Sequence, residues 1–210
     1  MKHPDSVILV FSKAPVAGKV KTRLVPHISY EQAASLHEEL TRYSLRMCAS
    51  AGLCDVQLWC SPDTQHPFFE ECRERYGVRL QAQSDGDLGE RMMIALHAML
   101  KHYRKIIIIG SDAPALESDT LSAVIDELER NDIVLVPAED GGYVLLGASA
   151  CAEGLLDNVS WGTGTVLSDT VCNLQQLGFD YALYGKCWDV DRPEDLERYQ
   201  ALKRSGSNRV

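Results

Sequence analysis

The sequence predicts an α/β protein of three layers, with helices on both faces of a mostly parallel central sheet. The first observation is a pair of continuous apolar runs, Val7–Phe11 and Ile106–Ile109. Such runs are typical of strands covered on both faces, because a strand with one solvated face alternates apolar and polar residues. The second observation is that segments with apolar residues at helical spacing separate the strand-like runs. Strands that alternate with helices favour parallel pairing through helical crossovers.

The elements of the first half follow this alternation. The strand Val7–Phe11 precedes a helix that begins after Ser29, whose spacing to Gln32 fits a capping box. Alternating apolar residues predict a strand over 56–60, and a short strand is expected over 79–83. An apolar stripe then predicts a helix over 88–99.

The second half repeats the pattern from the central strand Ile106–Ile109 onward. Apolar spacing predicts a helix over 121–128, and a buried strand follows at Ile133–Val136. The turn at Gly141-Gly142 leads into another strand over 143–146. Thr163 is expected to cap a helix that stops at Gly178, before a strand over 179–184 and a last helix over 193–202.

Composition limits the possible classes of protein. The 210 residues are 45% hydrophobic and contain no repeat or Gly-, Ser- or Pro-rich linker. We therefore predict a single domain over residues 1–204 and a flexible tail over 205–210. The net charge of −9 speaks against nucleic acid and anionic membranes as partners. Seven cysteines without a C-x-x-C pair, and no apolar leader, favour reduced thiols in the cytoplasm.

A basic loop follows the first strand. Lys13, Lys19, Lys21 and Arg23 lie within eleven residues that also contain Gly18. In an open α/β sheet, ligands bind beyond the carboxyl ends of strands, so this loop favours an anion such as phosphate. The alternative is a solvated loop with no ligand.

Acids follow two other strands. Asp112, after the central strand, is well placed to bind Mg²⁺ or Mn²⁺, although an Asp there also suits a turn or a cap. The segment Glu139-Asp140-Gly141-Gly142-Tyr143 fits either a hairpin turn or a close approach of backbone to ligand.

Two later segments can each be interpreted in two ways. Asp191 with Glu194 fits an N-cap, but its carboxylate could also share a metal ion with Asp112. Trp161-Gly162-Thr163 precedes a helix and could bind an anion there, or serve only in packing and capping.

Taken in order, these segments and Gly86–Met92 resemble the nucleotide-diphospho-sugar transferase (GT-A) superfamily, nearest to a bacterial family of short glycosyltransferase-like proteins. The resemblance covers about Val7 to Leu196. The plan is also similar to that of phospholactate guanylyltransferase, molybdenum-cofactor guanylyltransferase and the cytidylyltransferase for Kdo. Many glycosyltransferases of this fold carry D-x-D at mid-chain, whereas this chain has Ser111-Asp112-Ala113, closer to the single acid of nucleotidyltransferases.

The resemblance implies roles for individual residues. The nucleotide would be bound by Lys13, Ala14, Gly18, Lys19, Lys21, Arg23 and Gly89. The metal ligands would be Asp112 and Asp191, and the catalytic groups Lys21, Arg23 and Asp112. The acceptor side would consist of Glu139, Asp140, Gly141, Gly142, Tyr143, Trp161, Gly162 and Thr163.

The resemblance implies a Mg²⁺-dependent transferase that moves a nucleotidyl or glycosyl group from a nucleoside triphosphate or nucleotide-sugar to a small acceptor. Nucleotidyl transfer is slightly favoured by the single acid at Asp112. A non-catalytic nucleotide-binding module is the alternative, but it would not require acids at both metal positions. The sequence leaves the base, the acceptor and the oligomeric state open.

Overall fold

The computed structural model, which describes residues 1–25 and 27–205, is built around a seven-stranded sheet. The strands are β1 (Ser6–Lys13), β2 (Asp55–Ser61), β3 (Arg79–Ala82), β4 (Lys105–Gly110), β5 (Ile133–Pro137), β6 (Tyr143–Ala148) and β7 (Tyr181–Leu183). Their order across the sheet is β3-β2-β1-β4-β6-β5-β7. All pairs are parallel except those of β6, which runs antiparallel to both β4 and β5. The prediction of a mostly parallel sheet is confirmed.

The helices cover both faces of this sheet, which confirms the three layers. They are α1 (Tyr30–Ala51), α2 (Pro67–Tyr76), α3 (Leu88–Met99), α4 (Ser118–Glu127), α5 (Val166–Leu177) and α6 (Pro193–Ser205). One core contains residues of α1, α2 and α4, and the other contains residues of α3 and α5. A small third cluster joins Tyr199 of α6 to Leu40 of α1, together with Trp188 and Val190.

The two continuous apolar runs are buried on both faces because their side chains alternate between the two cores. In β1, Ile8 and Val10 pack into one core, while Val7 and Leu9 pack into the other. The run Ile106–Ile109 in β4 divides in the same way. A strand next to the middle of the sheet therefore needs no polar face, and its carboxyl end leads directly into a loop at one rim.

Two helix boundaries test the expected caps. Ser29 accepts a hydrogen bond from the backbone of Gln32, whose side chain bonds back to Ser29, so the capping box is confirmed. Thr163 does not cap α5, because that helix begins at Val166 and the Thr163 hydroxyl donates to the carbonyl of Ser160 at 2.7 Å. The expected stop at Gly178 is correct, with a left-handed φ of 74°. The tail expected over 205–210 lies beyond the described residues except for the end of α6 at Ser205.

Candidate active site

A cleft of about 520 Å³ opens where β1 and β4 end. The basic loop (residues 13–23) and the loop around Asp112 both contribute to its lining. So does an acidic segment (residues 189–191) that precedes α6. The carboxyl ends of neighbouring parallel strands meet at the same rim, which explains why segments far apart in sequence share the cleft.

Lys21 is the central contact of the cleft. Its ammonium group donates to Asp112 Oδ2 at 2.8 Å and to the carbonyl oxygen of Val190 at 2.6 Å. The backbone of Val190 in turn donates to the Asp112 carbonyl at 2.9 Å. The Lys21 side chain is only 5% exposed, and its backbone has a left-handed φ of 49°. A lysine in this strained region is held there by surrounding contacts, which here join three loops.

Arg23 makes a second, more exposed connection. Its guanidinium donates to Asp191 Oδ2 at 2.5 Å and to the Gly162 carbonyl at 3.4 Å. The hydrogen bond and charge of Asp191 raise the pKa of Arg23. Asp191 does not cap α6, since the carboxylate of Asp195 accepts the backbone N–H groups of residues 191 and 192. The Asp191 carboxylate thus faces the basic loop.

The acids of the cleft perturb one another. Burial acts to raise the pKa of Asp112, but the charge and hydrogen bond of Lys21 outweigh it and hold the pKa below its usual value. The environment of Asp189 disfavours the charged form of its carboxyl group. Burial, followed by the charges of Asp112 and Asp140, raises the pKa of Asp189 to about 7. The acids of the cleft therefore lie close enough together for their charges to disfavour one another.

His37 of α1 supports the start of the basic loop. A carbonyl can only accept, so His37 Nε2 donates to the Lys13 carbonyl at 2.9 Å. The Ser12 hydroxyl lies 3.2 Å from the same nitrogen. The other nitrogen, Nδ1, is buried and has no hydrogen-bond partner among the described residues. Burial lowers the pKa of His37, and the charges of Lys21 and Lys13 act in the same direction.

Another part of the cleft is aromatic. Tyr143, the first residue of β6, meets Trp161 edge to face, with ring centroids 6.3 Å apart and an interplanar angle of 78°. The Trp161 indole rests against Gly89 in the first turn of α3. A Cβ at Gly89 would stand 2.9 Å from Trp161 Nε1, so any other residue at this position would force the indole to move.

The turn between β5 and β6 is the hairpin that one interpretation predicted. Gly141 has a φ of 93°, and a Cβ there would stand 2.2 Å from the Gly164 carbonyl oxygen. Asp140 accepts the Gly142 backbone N–H at 2.9 Å. Glu139 points elsewhere and forms a two-point ion pair with Arg198 at 2.8 and 3.1 Å.

The structure brings together ten of the residues singled out from the sequence. Those that line the cleft are Lys13, Lys19, Lys21, Arg23, Asp112, Asp140, Gly142, Tyr143, Trp161 and Asp191. Those that do not line it are Ala14, Gly18, Gly89, Glu139, Gly141, Gly162 and Thr163. The lining also includes His37, Gln83, Arg91 and Asp189, which sequence reasoning did not assign to the site.

The carboxylate oxygens of the cleft suit a hard divalent cation, provided that phosphate oxygens of a bound substrate coordinate the same ion. Asp112 and Asp191 offer carboxylate oxygens, and Asp189 adds negative charge beside them. Within residues 1–25 and 27–205, no group of three or more His, Cys, Asp or Glu side chains is arranged to hold a metal ion.

A second cleft, of about 570 Å³, lies at the opposite rim of the sheet, where β4 begins. Its buried cation, Lys105, already donates to the Ile125 carbonyl at 2.9 Å and to Glu129. The buried cation of that cleft is therefore already paired and is not available to bind an anion. We assign the candidate site to the first cleft.

Several solved structures share this fold. A proposed nucleotide-diphospho-sugar transferase from Desulfovibrio desulfuricans G20 is 29% identical, with a TM-score of 0.86 over 98% of this chain and 90% of that one. A cytidylyltransferase from Leptospira borgpetersenii serovar Hardjo-bovis has a TM-score of 0.65 at 14% identity, over 97% and 88% of the two chains. CMP:2-keto-3-deoxy-manno-octonic acid synthetase, solved with CTP, has a TM-score of 0.54 at 12% identity, over 96% and 99%.

The protein thus has the nucleotide-diphospho-sugar transferase fold, as the sequence resemblance implied. The chain belongs to the bacterial family described as "Uncharacterized protein conserved in bacteria (DUF2064)", whose model matches residues 44–163. No protein of curated function matches the chain by sequence. Across the part of the chain that the structure describes, no helix is both long and apolar enough to cross a bilayer.

Proposed function

We propose that the protein is a Mg²⁺-dependent nucleotidyltransferase that uses a nucleoside triphosphate and a small acceptor. The observation that carries this proposal is the convergence of Lys21 and Arg23 on Asp112 and Asp191 at one rim of the sheet, with N–O distances of 2.8 and 2.5 Å. Cations for phosphate and carboxylates for a divalent ion are the two components that phosphoryl chemistry requires at one place.

The basic loop would bind the phosphates of the donor. Lys21 and Arg23 would stabilise charge that develops on phosphate oxygens, and the exposed Lys19 and Lys13 would assist. Arg23 is the more accessible of the first pair, with 56% of its side chain exposed against 5% for Lys21. Removing one such charge contact from a reaction typically lowers the rate by about 10²–10³.

Asp112 and Asp191 would hold the metal ion. When bound, Mg²⁺ would neutralise phosphate charge and help to orient the donor. The acceptor oxygen would then attack the α-phosphorus while the bond to the bridging oxygen breaks and pyrophosphate leaves. Positioning by the loops and stabilisation of charge would supply most of the catalysis.

Nucleotidyl transfer is favoured over glycosyl transfer by the loop after β4. At the start of that loop the segment Ser111-Asp112-Ala113 has a single acid, where glycosyltransferases of this fold commonly carry two. A cytidylyltransferase with this fold supports the same choice. The acceptor would occupy the aromatic part of the cleft beside Tyr143, Trp161 and Asp140.

A thermal-shift screen tests the proposal. Nucleoside triphosphates and nucleotide-sugars would each be added with and without Mg²⁺, because selective binding to the native state raises Tm by mass action. We expect one nucleoside triphosphate to stabilise the protein strongly, and only with Mg²⁺. Equal stabilisation without metal would indicate the non-catalytic module instead, and preference for a nucleotide-sugar would indicate glycosyl transfer.

A further inference from the structure

Asp112, the principal acid of the cleft, already has a cation beside it. The Lys21 ammonium stands 2.8 Å from Asp112 Oδ2, in a contact where Lys21 is 5% and Asp112 35% exposed. This partly buried ion pair is held more firmly than a surface pair, because removing Asp112 would leave the Lys21 ammonium poorly solvated. Asp112 is therefore only partly available as a metal ligand while this ion pair is formed.

The same ammonium is fixed by a second contact. It donates to the Val190 carbonyl at 2.6 Å, and this carbonyl belongs to the acidic segment between Asp189 and Asp191. Lys21 thus neutralises the acids while bridging the two loops that carry them. The Lys21 backbone has a left-handed φ of 49°, a conformation that residues other than glycine seldom adopt.

We propose that Lys21 is an internal counterion that must leave Asp112 before Asp112 can bind metal. Arriving phosphates draw the ammonium away from the carboxylate, and the freed carboxylate then binds the divalent ion that accompanies the nucleotide. Free divalent cations accordingly bind weakly, and the metal enters with the nucleotide. This inference rests on the proposed function, since it assumes that phosphate and metal share the cleft.

Electrostatics gives the expected direction of the effect. The charges of Asp112 and Asp140 already act on Asp189, so loss of the Lys21 charge leaves several acids without their buried counterion. A unit charge a few ångströms away in this environment changes a binding constant by about tenfold or more. Neutralising Lys21 should therefore strengthen the binding of a free cation while it weakens the binding of a nucleotide.

The test is a titration with Mn²⁺, followed by electron paramagnetic resonance in the absence of nucleotide. Lys21→Met should bind Mn²⁺ about tenfold or more tightly than the wild type. Lys19→Met is the matched control, because Lys19 is an exposed cation of the same loop, outside the Asp112 ion pair. It should leave the Mn²⁺ affinity within about twofold of the wild type. Asp112→Asn added to Lys21→Met should abolish the gain.

The inference is wrong if Lys21→Met gains no Mn²⁺ affinity, or if Lys19→Met gains as much. Lys21→Gln, which keeps a polar side chain at this position, is titrated in the same way if Lys21→Met does not fold. It too should bind Mn²⁺ about tenfold or more tightly than the wild type, and an unchanged affinity would overturn the inference. Failure of every nucleotide to bind would instead refute the proposed function, and the Lys21→Met titration in the absence of nucleotide would still decide whether Lys21 blocks Asp112.

Discussion

Arg23 and Asp191 are 168 positions apart in the sequence, and their ion pair of 2.5 Å joins the basic loop to the segment before α6. The pair is partly solvated, with side-chain exposures of 56% and 27%. Exposed pairs contribute little to stability, so this contact matters more for placing charges than for holding the fold.

The variant Arg23→Gln should therefore weaken nucleotide binding while it changes the stability of the protein only slightly. We expect the free energy of unfolding to fall by less than about 1 kcal/mol. Nucleotide affinity should fall about tenfold, because a phosphate contact is lost. Arg198→Gln is the control, since it breaks the exposed pair with Glu139, a residue outside the cleft lining. Equal loss of nucleotide affinity in both variants would contradict the role of Arg23.

Asp112→Asn removes the charge at the end of β4 and keeps nearly the same shape. We expect turnover to fall by about 10²–10³, and the Mg²⁺-dependent part of the thermal shift by nucleotide to disappear. Asp126→Asn, an exposed acid of α4, should change neither quantity. Full turnover in Asp112→Asn would exclude this residue from the site.

Gly89→Ala should disturb Trp161. The new Cβ would stand 2.9 Å from the indole Nε1 and 3.1 Å from the Leu156 carbonyl oxygen, so the ring has to move. We expect a change in tryptophan fluorescence and a loss of about 1–3 kcal/mol in the free energy of unfolding. In a Trp161→Phe background the fluorescence change should vanish. An unaltered spectrum in the single variant would mean that the packing is looser than described.

His37 should make the protein sensitive to acid. Burial lowers its pKa in the folded state, while the unfolded chain keeps the ordinary value of 6.5. The unfolded state thus binds more protons, and the stabilising contribution is complete above pH 6.5 and is lost as the pH falls below it.

Urea unfolding at pH 7.5 and 5.5 measures this effect. The wild type should lose more stability between the two pH values than His37→Gln does, because the amide cannot titrate. His102→Gln, at an exposed position, should behave as the wild type. A loss in His37→Gln as large as that of the wild type would assign the acid sensitivity to other groups.

Strand positions were largely predictable from the sequence, for a physical reason. The runs in β1 and β4 are apolar at every position because both faces are buried, and few other structures require that pattern. The start of α5 was not predictable in the same way. Thr163 has the right chemistry for a cap, but its hydroxyl bonds within the preceding turn instead.

The candidate site was predictable in its location and less so in its internal contacts. The acid and the cations could be placed at one rim, because strand ends converge there. The direct bond between Lys21 and Asp112 depends on the path of a loop that no local pattern specifies. His37 did leave a signal, since it stands four residues after Ala33 and three before Leu40 on the buried face of α1.

The cluster of Tyr199, Leu40, Trp188 and Val190 anchors the acidic segment to α1, apart from the two main cores. All seven strands of the sheet end by Leu183, whereas Tyr199 lies in the last helix. The sheet and the anchoring of the acidic segment thus depend on different stretches of the chain.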